Sequence, residues 1–251
     1  MNQRPLVSVS IVSHLQGALV AVLLKDIATH CNMPLEVIVT LNMPEPLLFD
    51  TGDYSFPVRI VTNLERQGFG ANHNAAFRVA CGEHFCVLNP DIRIEANPFL
   101  PLINLLANSS IGVAAPLIVN PMGGIEDSAR RFPSPAGILA KAMFGIRDPD
   151  YPISNELLYP DWVAGMFMLF RSEVFRDSKG FDEGFFLYYE DVDLCWRLQR
   201  KGLKPVLLPT VRVIHDARRT SHRNLRYMSW HGSSMLRFFL KRALAVLRGS
   251  G

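Results

Sequence analysis

Glu36-Val37-Ile38-Val39, the middle of a run over residues 35–41, reads as a strand that is apolar almost throughout. A strand with polar residues at alternate positions turns one side to water. One without them belongs to a sheet covered on both faces. Runs of the same kind recur at 7–12, 58–62 and 85–89, and the segments 18–30 and 72–80 between them read as helices. The alternation predicts an α/β fold of βαβ units: a Rossmann-like, mostly parallel sheet with helices on both faces. Such sheets bind ligands beyond the C-terminal ends of their strands, so the residues that close these strands are the first candidates for a site.

The second half is less regular. Residues 111–119 and 163–170 are apolar runs, whereas 120–160 is rich in Gly, Pro and charge and reads as a long surface excursion, a flap near the site. A helix is predicted over 191–200, ended by Gly202, with short strands returning over 205–214. At 251 residues, 49% of them hydrophobic, the chain is sized for one large domain.

No window reaches the roughly 18 uninterrupted apolar residues of a membrane span, because residues such as Gln16 and Lys25 interrupt every candidate. Residues 1–4 are too short for the basic region of a secretory signal. Cys31, Cys81, Cys86 and Cys195 show no CxxC spacing and read as small buried hydrophobes in a reducing compartment, so the expected location is cytoplasmic. Charge is unevenly spread: residues 217–251 carry eight Lys or Arg and no Asp or Glu, and since the whole chain is +3, residues 1–216 are net −5. Two units are expected, a folded domain over 1–216 and a basic helical tail over 217–251 suited to a polyanionic surface.

Four groups of residues could carry chemistry. Gly68-Phe69-Gly70-Ala71-Asn72-His73-Asn74 opens a helix after a strand; glycines allow close backbone approach and a helix N-terminus favours anions such as a diphosphate. The other reading is a tight strand-to-helix turn, and the spacing is not that of a dinucleotide fingerprint. Asn89-Pro90-Asp91 ends an apolar strand with a carboxylate able to ligate Mg²⁺ or Mn²⁺, or forms only an Asn-Pro-Asp turn. The stretch 180–197 sets five carboxylates among six aromatics, with Glu190, Asp191 and Asp193 opening a helix. Acids in a first turn complement the helix dipole, and carboxylates crowded against aromatics also make a general base of tuned pKa. His215 ends an apolar stretch as a further candidate metal ligand, while the other six histidines have no ligand spacing.

In this order, Gly-Phe-Gly-x-x-x-Asn, Asn-Pro-Asp, Trp162-Val163-x-Gly165, Gly-Phe-Asp-Glu-x-Phe-Phe-x-Tyr-x-Glu-Asp-x-Asp-Leu-Cys-x-Arg and a late His, the chain resembles the family 2 glycosyltransferases, from about residue 7 to His215. Within them it is most similar to bacterial rhamnosyltransferase-type enzymes of surface polysaccharide assembly. The resemblance implies a GT-A fold and an inverting single displacement from a nucleotide-sugar donor to a lipid-linked or glycan acceptor. It implies Asp191 as general base and Glu190, Trp162 and Gly165 as acceptor-binding residues. Asp91 and His215 would be ligands to Mg²⁺ or Mn²⁺, and Ser13, Asn42, Gly68, Phe69, Gly70, Asn74 and Asn89 would lie along the donor nucleotide. Two departures stand out: Asn42 occupies the place of a usual Asp after the second strand, and Val12-Ser13-His14-Leu15 replaces a usual Thr-Tyr-Asn. Asn42 can hydrogen-bond a base or ribose but supplies no negative charge.

In the tail, Met235, Leu236, Phe239, Leu240, Ala243, Val246 and Leu247 fall in one arc of a helical wheel, opposite Arg237, Lys241 and Arg248. A basic amphipathic helix over 223–248 suits an anionic membrane, at the inner face of the plasma membrane; packing on the domain with a solvated basic face is the other reading. The body is acidic and no nucleic-acid motif is present, so no nucleic-acid partner is expected. The competing functions are a catalytically silent nucleotide-sugar-binding module, against which Asp91, Asp191 and His215 argue, and a sugar nucleotidyltransferase, which leaves 180–197 without a purpose.

Overall fold

The computed structural model describes residues 5–144, 149–216 and 225–247. Its elements run β1 (Val7–Ser13), α1 (Gly17–His30), β2 (Leu35–Leu41), β3 (Val58–Thr62), α2 (Phe69–Val79), β4 (His84–Leu88), β5 (Ile92–Arg93), α3 (Phe99–Leu106), β6 (Ile111–Val119), β7 (Ala129–Arg130), α4 (Pro135–Phe144), β8 (Trp162–Val163), β9 (Phe167–Arg171), α5 (Ser172–Asp177), α6 (Glu190–Gln199), β10 (Lys204–His215) and α7 (Leu225–Leu247).

Eight strands form one sheet in the order β3-β2-β1-β4-β9-β6-β10-β5. β3, β2, β1 and β4 are mutually parallel, as are β6 and β10. β9 is inserted antiparallel between β4 and β6, and β5 pairs antiparallel with the end of β10. All seven residues of β2 are buried, which requires cover on both faces and accounts for its apolar run. The period of two divides them: Val37 and Val39 join a core with α1 and α3, while Ile38 joins one with α2, α5 and α6. β4 does the same, with Cys86 and Leu88 on one side and Phe85 and Val87 on the other. The sheet is thus mostly parallel and doubly covered, and the C-terminal ends of β1, β2 and β4 open on one edge.

Several expectations need revision. Residues 205–214 are not short strands but part of one long strand, whose register against β6 jumps between Leu208 and Arg212; Pro209 cannot donate to the ladder there. The run 163–170 breaks between β8 and β9, because Ala164 donates to Ser128 and Gly165 donates to Asp191 instead of continuing the sheet. The excursion 120–160 contains β7, α4 and a bridge from Leu158 to Leu207 among its described residues. Cys31, Cys86 and Cys195 are buried as expected, but Cys81 is exposed.

The tail helix packs on the domain, with Met235 and Phe239 of its apolar arc against the body, but its basic side is not left to solvent. Phe238 is fully buried against Phe185, Tyr189 and Val192. Arg237 and Lys241 point at the body, where Lys241 pairs with Asp182 (2.8 Å) and with the buried Asp193 (2.6 Å). Leu236, Leu240, Leu244 and Leu247 are each more than half exposed. Two inward acids, one wholly buried, require cations, and that requirement sets the helix rotation. The expected unit boundary at residue 217 and, within the expected membrane-facing stretch, residues 223, 224 and 248 lie outside the described residues.

Candidate active site

Two cavities meet along the edge of the sheet. The first, about 850 Å³, is lined by the ends of β1 and β2, the N-terminus of α1, and Asn89, Pro90 and Asp91 after β4. The second, about 460 Å³, is lined by Arg130 and Phe132, the start of α4, Trp162, and residues 188–192. Phe69 of the first cavity lies against Gly165, where an added Cβ would stand 3.2 Å from its ring and 3.6 Å from Asp191 Oδ2. Phe186 and Leu187 line the first cavity while Tyr188 and Tyr189 line the second. The seam between the cavities is therefore Phe69, Gly165 and Asp191.

Tyr188 and Tyr189 both hold φ of 69°, a left-handed conformation that costs a non-glycine residue about 1–3 kcal/mol. Ser234 Oγ donates to Leu187 O (2.9 Å) and the His231 ring meets both tyrosine rings edge-on at 5.4 Å, so α7 braces this turn. The turn aims the first residues of α6 at the second cavity. Asp191 accepts from Gly165 N (2.9 Å) and Val192 N (2.8 Å). Burial raises its pKa and these backbone donors oppose the rise. Glu190 is raised well above the carboxylate range by burial and by the charge of Asp191, and its Oε2 has no partner. The two environments push the pair apart, Glu190 further upward than Asp191.

Asp91 and His215 are far apart in the chain, yet the antiparallel pair Ile92–His215, with Asp216 N donating to Asp91 O (2.9 Å), sets them side by side. His215 Nε2 is 3.3 Å from Asp91 Oδ2, and Nδ1 is 2.6 Å from Glu126 Oε2. Burial pulls His215 down, but the hydrogen bonds and charges of Asp91 and Glu126 outweigh it and raise the imidazole to about 9. Asp91 Oδ1 is buried without a partner. One carboxylate, one imidazole and a carboxylate behind the imidazole suit Mg²⁺ or Mn²⁺. Among the described residues no three His, Cys, Asp or Glu converge to hold an ion unaided, so phosphate oxygens would complete its shell.

The expected nucleotide-binding residues divide. Asn42, Phe69 and Asn89 line the first cavity with Asp91. Ser13, Gly68, Gly70 and Asn74 do not. Ser13 is buried and accepts from Gln16 N. The N–H of Phe69 donates to Phe186 O (2.9 Å), so the start of α2 faces the 180–189 loop rather than an anion. A Cβ on Gly68 would meet Phe186 O at 2.7 Å and one on Gly70 would meet Phe181 Cβ at 2.6 Å, so both glycines serve that packing. Asn74 locks the same loop through Phe181 N and O and Glu183. Asn42 exchanges two hydrogen bonds with the Gln67 backbone and shapes the wall. Glu190, Trp162 and Asp191 all line the second cavity, with Gly165 at the seam. Residues not foreseen are His14, Glu45, Arg66 and Tyr227 in the first cavity and Arg130 and His231 in the second. They carry no motif spacing, and only their position beside a strand end could have marked His14.

This sheet, with a carboxylate ending β4 and a second acidic pair across a seam, defines the class: the fold is that of the GT-A glycosyltransferases. Among solved structures, GalNAc-T7 bound to UDP, GalNAc and Mn²⁺ superposes with a TM-score of 0.67 at 16% identity, over 87% of this chain and 45% of that one. The mannosyltransferase PcManGT of Pyrobaculum calidifontis, bound to GDP-Man and Mn²⁺, superposes at 0.60 and 17% identity, over 88% and 59%. No protein-family profile matches the chain. Rhamnosyltransferase WbbL of Escherichia coli K12 is 31% identical over 194 residues, 70% of this chain and 72% of that protein. An N-acetylglucosaminyl-diphospho-decaprenol L-rhamnosyltransferase of Mycobacterium tuberculosis is 30% identical over 55% of this chain, which spans about half of that protein (48%). The chain belongs to this family of rhamnosyltransferase-like family 2 glycosyltransferases and is an enzyme of the glycosyltransferase class.

Proposed function

We propose that the enzyme is an inverting, metal-dependent rhamnosyltransferase that moves the sugar from dTDP-rhamnose to a hydroxyl of a lipid-linked diphospho-sugar at an anionic membrane surface. The observation that carries the reading is the seam: the carboxyl of Asp191 stands between one cavity that ends at Asp91 and another lined by aromatic and basic side chains. The names of the relatives support the sugar and the acceptor class.

In a single displacement the acceptor oxygen bonds to the anomeric carbon as the bond from that carbon to the diphosphate breaks, and the hydroxyl proton passes to Asp191. Gly165 N and Val192 N orient the Asp191 carboxylate. Glu190, kept neutral, hydrogen-bonds the acceptor without adding charge. Trp162, whose indole is fixed by donation to Arg131 O (3.0 Å), gives the acceptor sugar an apolar wall. Asn42, Phe69 and Asn89 line the donor's nucleotide, and Asp91 and His215 would hold the divalent ion, which when bound neutralises the departing diphosphate. In this reading the base and the leaving group face opposite sides of the anomeric carbon, which inverts it.

The exposed leucines of α7, with Leu139 and Met143 exposed on α4, support association with the membrane through apolar insertion. Among the described residues no helix is long and apolar enough to cross a membrane. The deciding experiment is calorimetric titration of dTDP, UDP and GDP with and without Mg²⁺ or Mn²⁺, on wild type and Asp91→Ala, beside a transfer assay with a diphospho-lipid sugar. Metal-dependent binding of dTDP, lost in the variant, is the expected result. Equal binding without metal removes the metal assignment.

A further inference from the structure

Arg66, in the loop between β3 and α2, enters the first cavity beside Phe186 and Tyr227. Its guanidinium carbon is 4.7 Å from the ring centroid of Trp230 and 5.4 Å from that of Phe186, and these two rings pack on each other at 4.8 Å. Contacts of this kind act on the charge and leave the N–H donors unused. Nε of Arg66 is buried with no hydrogen-bond partner, and among the described residues no carboxylate pairs with the guanidinium.

Charge makes this residue matter. Among the described residues lining the cavity, Arg66 is the sole Lys or Arg, while Glu45 and Asp91 are carboxylates. Glu45 is already engaged, accepting from Leu15 N (3.2 Å) and Gly17 N (3.0 Å) at the start of α1. A diphosphate entering between two carboxylates needs a fixed cation facing it. A planar guanidinium held on aromatic rings presents its donors as a fork that matches phosphate oxygens.

We propose that Arg66 binds the diphosphate of the donor, and that Trp230 from α7 and Phe186 from the loop before α6 hold its guanidinium in position. α7 is then part of the donor site as well as a brace for the acceptor side. This inference rests on the nucleotide-sugar reading above.

The test begins with the full chain and the probes dTDP, UDP and GDP in Mg²⁺. The diphosphate that binds, and its uncharged nucleoside in competition with it, are then measured on Arg66→Gln, Arg66→Lys and Trp230→Leu, with thermal melts alongside. Loss of one charge-assisted contact is expected to weaken the diphosphate at least about tenfold in Arg66→Gln while the nucleoside changes less than about twofold. Arg66→Lys falls between, and Trp230→Leu weakens the diphosphate with Arg66 intact. Unchanged diphosphate affinity in Arg66→Gln, or equal losses for diphosphate and nucleoside, overturns the assignment. If no probe binds the folded wild type, the donor reading falls and this inference with it.

Discussion

Glu190 and Asp191 are chain neighbours with different surroundings, and the roles proposed for them rest on that difference. Asp191 has backbone donors from Gly165 and Val192; Glu190 is buried with one oxygen unpartnered. Removing the proposed base in Asp191→Asn is expected to lower transfer by about 10²–10⁴-fold while nucleotide binding is retained, measured by single-turnover kinetics beside calorimetry. A loss confined to nucleotide affinity would remove Asp191 from the base role. For Glu190 the sign can be worked out. Its folded pKa lies above the unfolded value of about 4.3, so the folded chain holds the extra proton and stability falls as pH rises from that value toward the raised one. Glu190→Gln should therefore melt above wild type near neutral pH, with the gap closing toward about pH 4. Equal melting temperatures at neutral pH would show that the carboxyl is not held neutral by burial.

At the scale of elements, the contacts of α7 include the buried ring of Phe238 and an ionic cluster at Asp182 and Asp193. Phe238→Ala is expected to cost about 3–5 kcal/mol, read as a lowered urea midpoint, because the ring is fully enclosed. Asp182 tests the ionic part. Burial alone would raise its pKa, but hydrogen bonds from Lys241 and Gly184 and the charges of Lys241 and Arg237 bring it down to about 2. Its contribution is thus present above the unfolded value of about 3.9 and lost as pH falls through the folded one. Between about pH 4 and pH 2 the wild-type midpoint should fall more steeply than that of Asp182→Asn, and parallel curves would mean that the cluster does not hold the helix. Because α7 also braces the left-handed turn at Tyr188 and Tyr189, loosening it should slow transfer more than it weakens acceptor binding.

Over the whole molecule, α4 and α7 both reach the cavities: Gly137, Ile138 and His231 line the second and Tyr227 the first. Leu240→Glu with Leu244→Glu changes only outward side chains, so melting should be little altered while flotation with anionic liposomes is lost. Flotation equal to wild type would sever the membrane reading from the enzyme. Much of this architecture was legible beforehand, since an unbroken apolar run such as Leu35–Leu41 reports a doubly covered strand through local periodicity alone. Motif order likewise carried Asp91 to a strand end and Glu190 and Asp191 to the start of a helix.

What the chain's order determined by itself was therefore whatever depends on near neighbours: the strands, most helices, the acidic pair and the family likeness. Only the tertiary structure decided matters set by distant partners. The antiparallel pairing of β5 with β10 joined His215 to Asp91, and Asn74 turned from the donor to the loop at Phe181 because that backbone offered both a donor and an acceptor. A helical wheel separates an apolar arc from a basic one but cannot say which is covered. Here Asp182 and the buried Asp193 took the basic side of α7 inward, because an unpaired buried charge costs more than a row of leucines left in water.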